Sequence, residues 1–418
     1  MNNLDKIFKA YDIRGVYPDE LNEEVGYKIG RATVKFLKAK EVVVGRDNRN
    51  SSDNLFKVLS EGIRDQGVNV IDIGLTTTPM FYFAVAKWGI KGGIMITASH
   101  NPPEYNGFKV VQKDAMPVSE NSGLKKIKKL VEKNKFKTKN RGEIKKRVIL
   151  KEYIENVLRF NDLGSIRPFK ISVDTNGGTA KLVISELFKK LPIQEVSERA
   201  DLGISFDGDG DRIVFIDEKG KKIAPDLITV LLIHYFFKNK KKILYTVIAS
   251  QIVKQEIKKT GNTLICSEVG HTFIKEKMKN KKIDFGAESS GHYYLKDNYF
   301  NESPFLILLK VLEILSKEKK PLSELVKPFQ KYYLERINFE IKNVGLAATR
   351  HIIKEIEKKY KKIGKISRLD GLTIEFPDWW FNLRPSHTEP VIRLTLEAKT
   401  KELLEEKKKE LCQLIGLN

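Results

Sequence analysis

Cysteine is almost missing from this chain: there are two in 418 residues. Cys266 and Cys412 give no disulfide framework and no metal-ligand spacing, so a reducing cytoplasm is the expected compartment. Long apolar runs are missing too. The longest, such as "LITVLLIHYFF" (227–237), fall short of the roughly 20 residues a bilayer span needs, and no membrane partner is expected. The N-terminal "MNNLDKIFKAYDIRG" lacks a basic stretch followed by an apolar one, so no secretory signal is expected. Disorder is excluded by a hydrophobic fraction of 41%, which is ordinary for a folded chain. The length allows about two to four domains.

Acidic residues are in deficit, 54 against 76 basic ones, for a formal net charge of +22. Such an excess raises nucleic-acid binding as a function to weigh. It is mostly lysine, in clusters at 35–40, 125–147 and 238–243. On helices these read as solvated faces, and no nucleic-acid-binding motif lies among them. Nucleic acid is therefore not the expected partner, although part of the charge can steer phosphate-bearing small substrates. A basic polyanion-binding protein is kept as the contrasting reading.

Strand-like and helix-like segments alternate over most of the length. "EVVVGRDNR" (41–49) reads as a buried strand entering a polar turn, and "NLFKVLSEGIRDQG" (54–67) as a helix with a glycine stop. The pattern recurs weakly at 170–191 and 243–270, which predicts several α/β units of one design. The last part differs: strands near 335–341, 365–376, 379–384 and 391–398, with two helices, predict a smaller α+β domain. Boundaries are expected to give units 1–141, 142–240, 241–334 and 335–418.

Four loops carry chemistry. In "TASHNPPEYNGFK" (97–109), Ser99 sits among small and stiff residues, with His100 beside it and Lys109 at the far end. In "DGDGDR" (207–212), Asp207, Asp209 and Asp211 alternate with glycines. Concentrated carboxylates repel unless a cation lies between them, and hard oxygen ligands suit Mg²⁺. A calcium EF-hand would match at Glu218, twelfth in the loop, but Arg212 stands where that loop requires glycine, and strands flank it. In "GAESSGHYY" (286–294), Glu288, Ser290 and His292 offer the mixed donors and acceptors that bind a polyol, and an ordinary polar turn is the alternative. Upstream, His271 lies at a strand-to-helix junction. In "RPSHTEPVIR" (384–393), Arg384, Ser386, His387 and Thr388 make a plausible phosphate cradle, with Arg393 on the next strand. A nucleophilic serine, an acidic metal loop, a polyol loop and a phosphate cradle are together the parts needed for phosphoryl transfer to a sugar phosphate.

These motifs, in order and over nearly the whole chain, resemble the α-D-phosphohexomutase superfamily, most closely its phosphomannomutase/phosphoglucomutase branch. "FKAYDIRG" (8–15) is similar to the family's opening segment and sets Tyr11 and Arg14 at active-site positions. The resemblance implies four domains around a central cleft, three with related α/β cores and a smaller C-terminal α+β domain. It implies Ser99 as a phosphoserine that also meets the metal, and Lys109 as general acid/base, with Arg14 and His100 in the catalytic set. Mg²⁺ would lie on Asp207, Asp209 and Asp211. Tyr11, Arg212, His271, Glu288, Ser290 and His292 would bind substrate. Arg384, Ser386, His387, Thr388 and Arg393 would hold the non-reacting phosphate. The implied activity interconverts hexose 1-phosphate and hexose 6-phosphate, of mannose or glucose, through a hexose 1,6-bisphosphate that also acts as activator. The expected partners are small sugar phosphates, and the expected state is a monomer or small homo-oligomer.

The chain departs from the family pattern in three places. About 30 residues fewer than usual lie between Asp174 and Asp207, within the range of tolerated insertions. His387 stands where asparagine or glycine is more usual. "VIA" (247–249) lacks a lysine that some members place on the substrate. A phosphoglucosamine mutase is the alternative within the family, and a phosphatase using Ser99 is a further one.

Overall fold

The computed structural model describes residues 3–137, 140–340, 345–386 and 391–416. Within them the chain forms four sheets. The first three share a plan that follows from their strand chemistry. In each, a central strand is flanked by two parallel neighbours, and the crossings run through helices except in the second sheet, where residues 196–201 join Ile193–Glu195 to Leu202–Phe206 without one. The chain then reverses through a short loop into an antiparallel strand.

In the first sheet the parallel strands are Glu41–Arg46, Asn69–Leu75 and Gly92–Ile96, and Tyr105–Gln112 returns antiparallel. In the second, Phe169–Asp174 lies between Ile193–Glu195 and Leu202–Phe206, and Ile213–Ile216 returns. In the third, Lys242–Thr246 lies between Thr263–Ser267 and Phe285–Ala287, and Tyr293–Leu295 returns. The expected repetition of one α/β design is therefore present as identical topology. Buried residues of all three units join one continuous apolar core.

The fourth sheet is antiparallel throughout, in the order Tyr333–Glu340, Val391–Ala398, Trp379–Pro385, Leu372–Glu375, Lys365–Ser367. Helices Gly345–Tyr360 and Lys401–Ile415 accompany it, and it has its own core. This is the expected α+β unit.

Two expected boundaries are corrected. Strand Ile144–Lys146 pairs with Asn69–Leu75, so the first unit runs past 141. Helix Pro225–Phe236 packs on Gln251–Lys259 and on Pro304–Glu318, so it goes with the third sheet, ahead of 240. A lysine-rich linker looks like a boundary in composition, but an apolar helix goes where its buried face is covered. No described helix is long and apolar enough to cross a membrane.

Candidate active site

Each of the first three sheets contributes the loop at one topological position, between its last parallel strand and the antiparallel return. These are 97–104, 207–212 and 288–292, which hold Ser99, the aspartates and Glu288 with His292. Loops beyond the carboxyl ends of parallel strands are where open α/β sheets bind ligands.

Ser99 is buried and left-handed, with φ +53°, a conformation that costs a non-glycine residue about 1–2 kcal/mol. Its surroundings over-determine it. Its N–H donates to Thr97 Oγ1 at 2.8 Å. Its carbonyl accepts from Arg49 Nη2 at 2.8 Å. The Arg49 guanidinium also donates to the carbonyls of Asn101 (2.7 Å), Pro102 (2.6 Å) and Tyr105 (2.9 Å), and is anchored on Asp47 Oδ2 at 3.1 Å. Arg14 bonds Asn101 Oδ1 from the other side and pairs with Asp12. Gly208 is required here, since a Cβ on it would meet the Ser99 carbonyl at 2.8 Å.

Ser99 Oγ donates to Asp207 Oδ2 at 3.1 Å. Asp207, Asp209 and Asp211 each offer an oxygen within 4.8 Å of the others, helped by the turn at Gly210 (φ +66°). Burial and the two other aspartates push the Asp207 carboxyl well up. Burial also opposes charge on Asp211, but Lys109 and His292 outweigh it and hold that carboxyl well below the usual range. Asp209 Oδ1 is buried without a hydrogen-bond partner. A cluster of hard oxygens with one such atom left over fits a small divalent cation.

Lys109 lies on the antiparallel strand opposite Met95, which returns it to the serine loop. Its Nζ donates to Asp209 Oδ2 at 2.6 Å and to Asp211 Oδ2 at 2.7 Å. Burial disfavours its charge, yet the two carboxylates prevail and hold its pKa well above the ordinary value. His100 differs. Burial first, then Arg212 and Arg14, lower its imidazole to about 4. Neutral at physiological pH, its Nδ1 lies 3.4 Å from Ser99 Oγ and accepts from Arg212 Nη2 at 3.1 Å.

His292 joins the aspartate loop to the polyol loop. Its Nε2 lies 3.2 Å from Asp211 Oδ1, and its Nδ1 lies 3.3 Å from Glu288 Oε2 and 2.9 Å from Ser290 Oγ. Burial works against its charge, but Asp211 more than compensates and lifts it to about 10. Burial likewise opposes the Glu288 carboxylate, but hydrogen bonds from His292 and Tyr294 hold it at about 2. Glu288 Oε1 also accepts from Gly270 N at 3.2 Å, tying this loop to helix His271–Lys281. His271 opens that helix and meets the Tyr11 ring edge-on at 5.8 Å. Burial depresses its imidazole to about 4.

From the fourth sheet, Arg384 and Arg393 face each other directly across neighbouring strands. Like charges so placed repel unless an anion lies between them. Arg384 is 4% exposed, and its Nε is buried without a hydrogen-bond partner. Ser386 N bonds the Val391 carbonyl at 2.8 Å and closes the hairpin. His387 and Thr388, expected in the cradle, lie outside the described residues. Asp370 connects this sheet to the cleft, accepting from Val269 N at 3.0 Å and lying 3.9 Å from Arg384.

Sequence reasoning missed Arg49 and Asp47. Their one available signal was two opposite charges directly after a buried strand, in "GRDNR".

A family model described as phosphoglucomutase/phosphomannomutase, alpha/beta/alpha domain I, matches residues 5–138. The models for domain III and for the C-terminal domain match 224–332 and 337–414. A phosphomannomutase of Vibrio cholerae serotype O1 is 35% identical over 457 residues, covering 98% of each chain. One from Methanocaldococcus jannaschii is 36% identical over 453 residues, covering 98% of this chain and 97% of that one. The crystal structure of a phosphoglucomutase/phosphomannomutase family protein from Burkholderia thailandensis superposes with a TM-score of 0.87 at 26% identity, covering 99% of this chain and 98% of that one. Agreement from end to end, in sequence and in backbone, makes this chain a member of the phosphoglucomutase/phosphomannomutase family of the α-D-phosphohexomutase superfamily, and so a phosphotransferase of the mutase kind.

Proposed function

We propose that this enzyme interconverts the 1- and 6-phosphates of mannose and glucose, through a phosphoserine at Ser99 and a hexose 1,6-bisphosphate. The observation that carries the reading is Ser99 Oγ, 3.1 Å from Asp207 Oδ2, in a left-handed loop beside three converging carboxylates. The relatives named phosphomannomutase support mannose as one of the sugars.

In the forward half-reaction the bond from phosphorus to Ser99 Oγ breaks and one to a hexose hydroxyl oxygen forms, the hydroxyl proton passing to Ser99 Oγ. In the return half, the other phosphoryl group passes to Ser99, and the Ser99 proton passes to the hexose oxygen that it leaves. Neutral His100, 3.4 Å from Ser99 Oγ, is placed to relay that proton in either direction. Lys109 supplies a fixed positive charge beside the aspartates. Glu288 and His292 orient the sugar by hydrogen bonds. Arg384 and Arg393 hold the phosphate that is not reacting, and the exchange of ends requires that they accept either one. Asp207, Asp209 and Asp211, with Ser99, would hold Mg²⁺, which would neutralise charge developing on the transferred group.

The test is a panel of mannose, glucose and glucosamine 1-phosphates with Mg²⁺ and a hexose 1,6-bisphosphate activator, for the wild type and Ser99→Ala. Turnover of mannose and glucose substrates that is lost in Ser99→Ala is expected. Undiminished turnover in the variant would sink the reading. Phosphate release exceeding isomer formation would mark a phosphatase instead.

A further inference from the structure

One cleft of the described residues lies away from the catalytic loops. Its volume is about 690 Å³, and five lysines line it: Lys35, Lys38, Lys40, Lys135 and Lys137. Among the described residues, no carboxylate lines it. Topology separates it from the reacting groups. Lys40 immediately precedes strand Glu41–Arg46, and Val68 immediately precedes Asn69–Leu75. The cleft therefore sits at the amino ends of parallel strands whose carboxyl ends face Ser99. Six residues of strand put about 20 Å between the two faces.

The cleft is built by specific contacts. The Phe136 ring lies under the Arg31 guanidinium at 4.6 Å and under Lys35 Nζ at 5.4 Å. The Phe136 carbonyl accepts from Arg31 Nη2 at 3.2 Å, and the Lys137 carbonyl from Gln66 Nε2 at 3.4 Å. These bonds fix segment 135–137 beside the end of helix Glu23–Leu37, and Lys135 and Lys137 line the cleft together with Lys35, Lys38 and Lys40. The neighbouring acid, Asp65, is occupied with Tyr27 and Arg141. The buried floor of Val34, Ala39 and Val68 is apolar.

We propose that this cleft is a second binding site, for a compact oligophosphate. Five lysines and no described carboxylate line this one cleft, which gives it a local excess of positive charge that a ligand bearing several negative charges offsets. The volume is that of a small-molecule pocket, about 300–1,000 Å³, which suits a short chain of phosphates better than an extended nucleic-acid backbone. Both an inorganic oligophosphate and the triphosphate of a nucleotide have this chemistry.

The test is calorimetric titration of the full chain at about 0.1 M salt, where the Debye length is about 10 Å. The titrants are inorganic tripolyphosphate, ATP and orthophosphate. Tripolyphosphate is expected to bind at least about tenfold tighter than orthophosphate, with affinity falling as salt rises. Lys38→Glu with Lys137→Glu should weaken tripolyphosphate by about tenfold or more and leave hexose-phosphate turnover unchanged. Lys38→Gln with Lys137→Gln should show a smaller loss in the same direction. Equal affinity for ATP assigns the free phosphate chain as the ligand, and tighter ATP assigns a nucleotide. Unchanged tripolyphosphate binding in the charge-reversed variant would overturn the proposal, since any binding would then belong to the catalytic cleft. So would equal affinities for tripolyphosphate and orthophosphate, or displacement of tripolyphosphate by an RNA oligonucleotide.

Discussion

Replacing Arg49 by lysine tests whether the serine loop is held from behind. The guanidinium makes five hydrogen bonds, three to loop carbonyls, one to the carbonyl of Tyr105 at the start of the return strand and one to Asp47. An ammonium has three donors and no fork geometry. At least two acceptors therefore lose their partner, one of them on a loop whose serine is held left-handed. A lost charge-assisted bond costs about 1.5–3 kcal/mol, and water entering the adjoining cleft offsets part of that. A stability loss of about 3 kcal/mol is expected. The catalytic effect is separate: displacing a reacting atom by about 1 Å costs about 10²-fold. Arg49→Lys should therefore lower kcat by about that factor while changing KM little, because no substrate-binding residue is touched. Urea unfolding followed by tryptophan fluorescence, together with steady-state mutase kinetics at a temperature where the variant is folded, measures both. A folded Arg49→Lys enzyme with kcat within about twofold of wild type would refute the claim that this scaffold sets the serine geometry.

Removing divalent metal with a chelator should abolish turnover, and Mg²⁺ should restore it. In Ser99→Ala, Mg²⁺ at about 100 times its Kd should still stabilise the fold by about 2.7 kcal/mol, read as a rise in Tm. Lys275 and Glu302 form an ion pair at 3.0 Å, 0% and 1% exposed, with Lys275 over the Tyr82 ring of the first unit. Lys275→Met alone should cost about 3–5 kcal/mol in chemical denaturation, whereas Lys275→Met with Glu302→Leu should recover most of it. His271 is held neutral in the fold, its imidazole lowered from 6.5 to about 4 chiefly by burial. The unfolded chain then binds the extra proton, so stability present at pH 7 is lost as pH falls from about 6.5 to 4, by up to about 3 kcal/mol. His271→Asn should flatten that part of the urea-midpoint profile, and an unchanged slope would place the loss elsewhere.

The parts of the site that chemistry confines to one short segment were legible in the sequence. Three aspartates alternating with glycines have one economical use. The serine and arginine loops stand out by their donors, whereas the 286–294 loop read alone is as much an ordinary polar turn as a polyol site. Their order along the chain identifies the family, and the recurring strand–helix pattern becomes a shared topology. Contacts far apart in the chain were not legible. Arg49 acts on carbonyls some fifty positions away, and main-chain acceptors leave no mark in side-chain identity. The state of Lys109 depends on carboxylates about a hundred positions away, so its strand could be foreseen but its firmly held proton could not. Helix Pro225–Phe236 was assigned to the wrong unit because lysine-rich composition drew the boundary, whereas coverage of its apolar face decides it.

The position of the three catalytic loops limits how this enzyme can move. Each loop is pinned at both ends to strands hydrogen-bonded side by side, and the three sheets share one core, so the serine, the aspartates and the polyol loop form a fixed tripod. The fourth sheet is attached differently. It has a separate core and meets the tripod through polar contacts: Asp370 on Val269 N, Glu397 on Gln251 N and Glu375 on Lys254. This architecture sets Arg384 and Arg393 on a separately packed sheet and leaves Ser99 and the aspartates on the shared core.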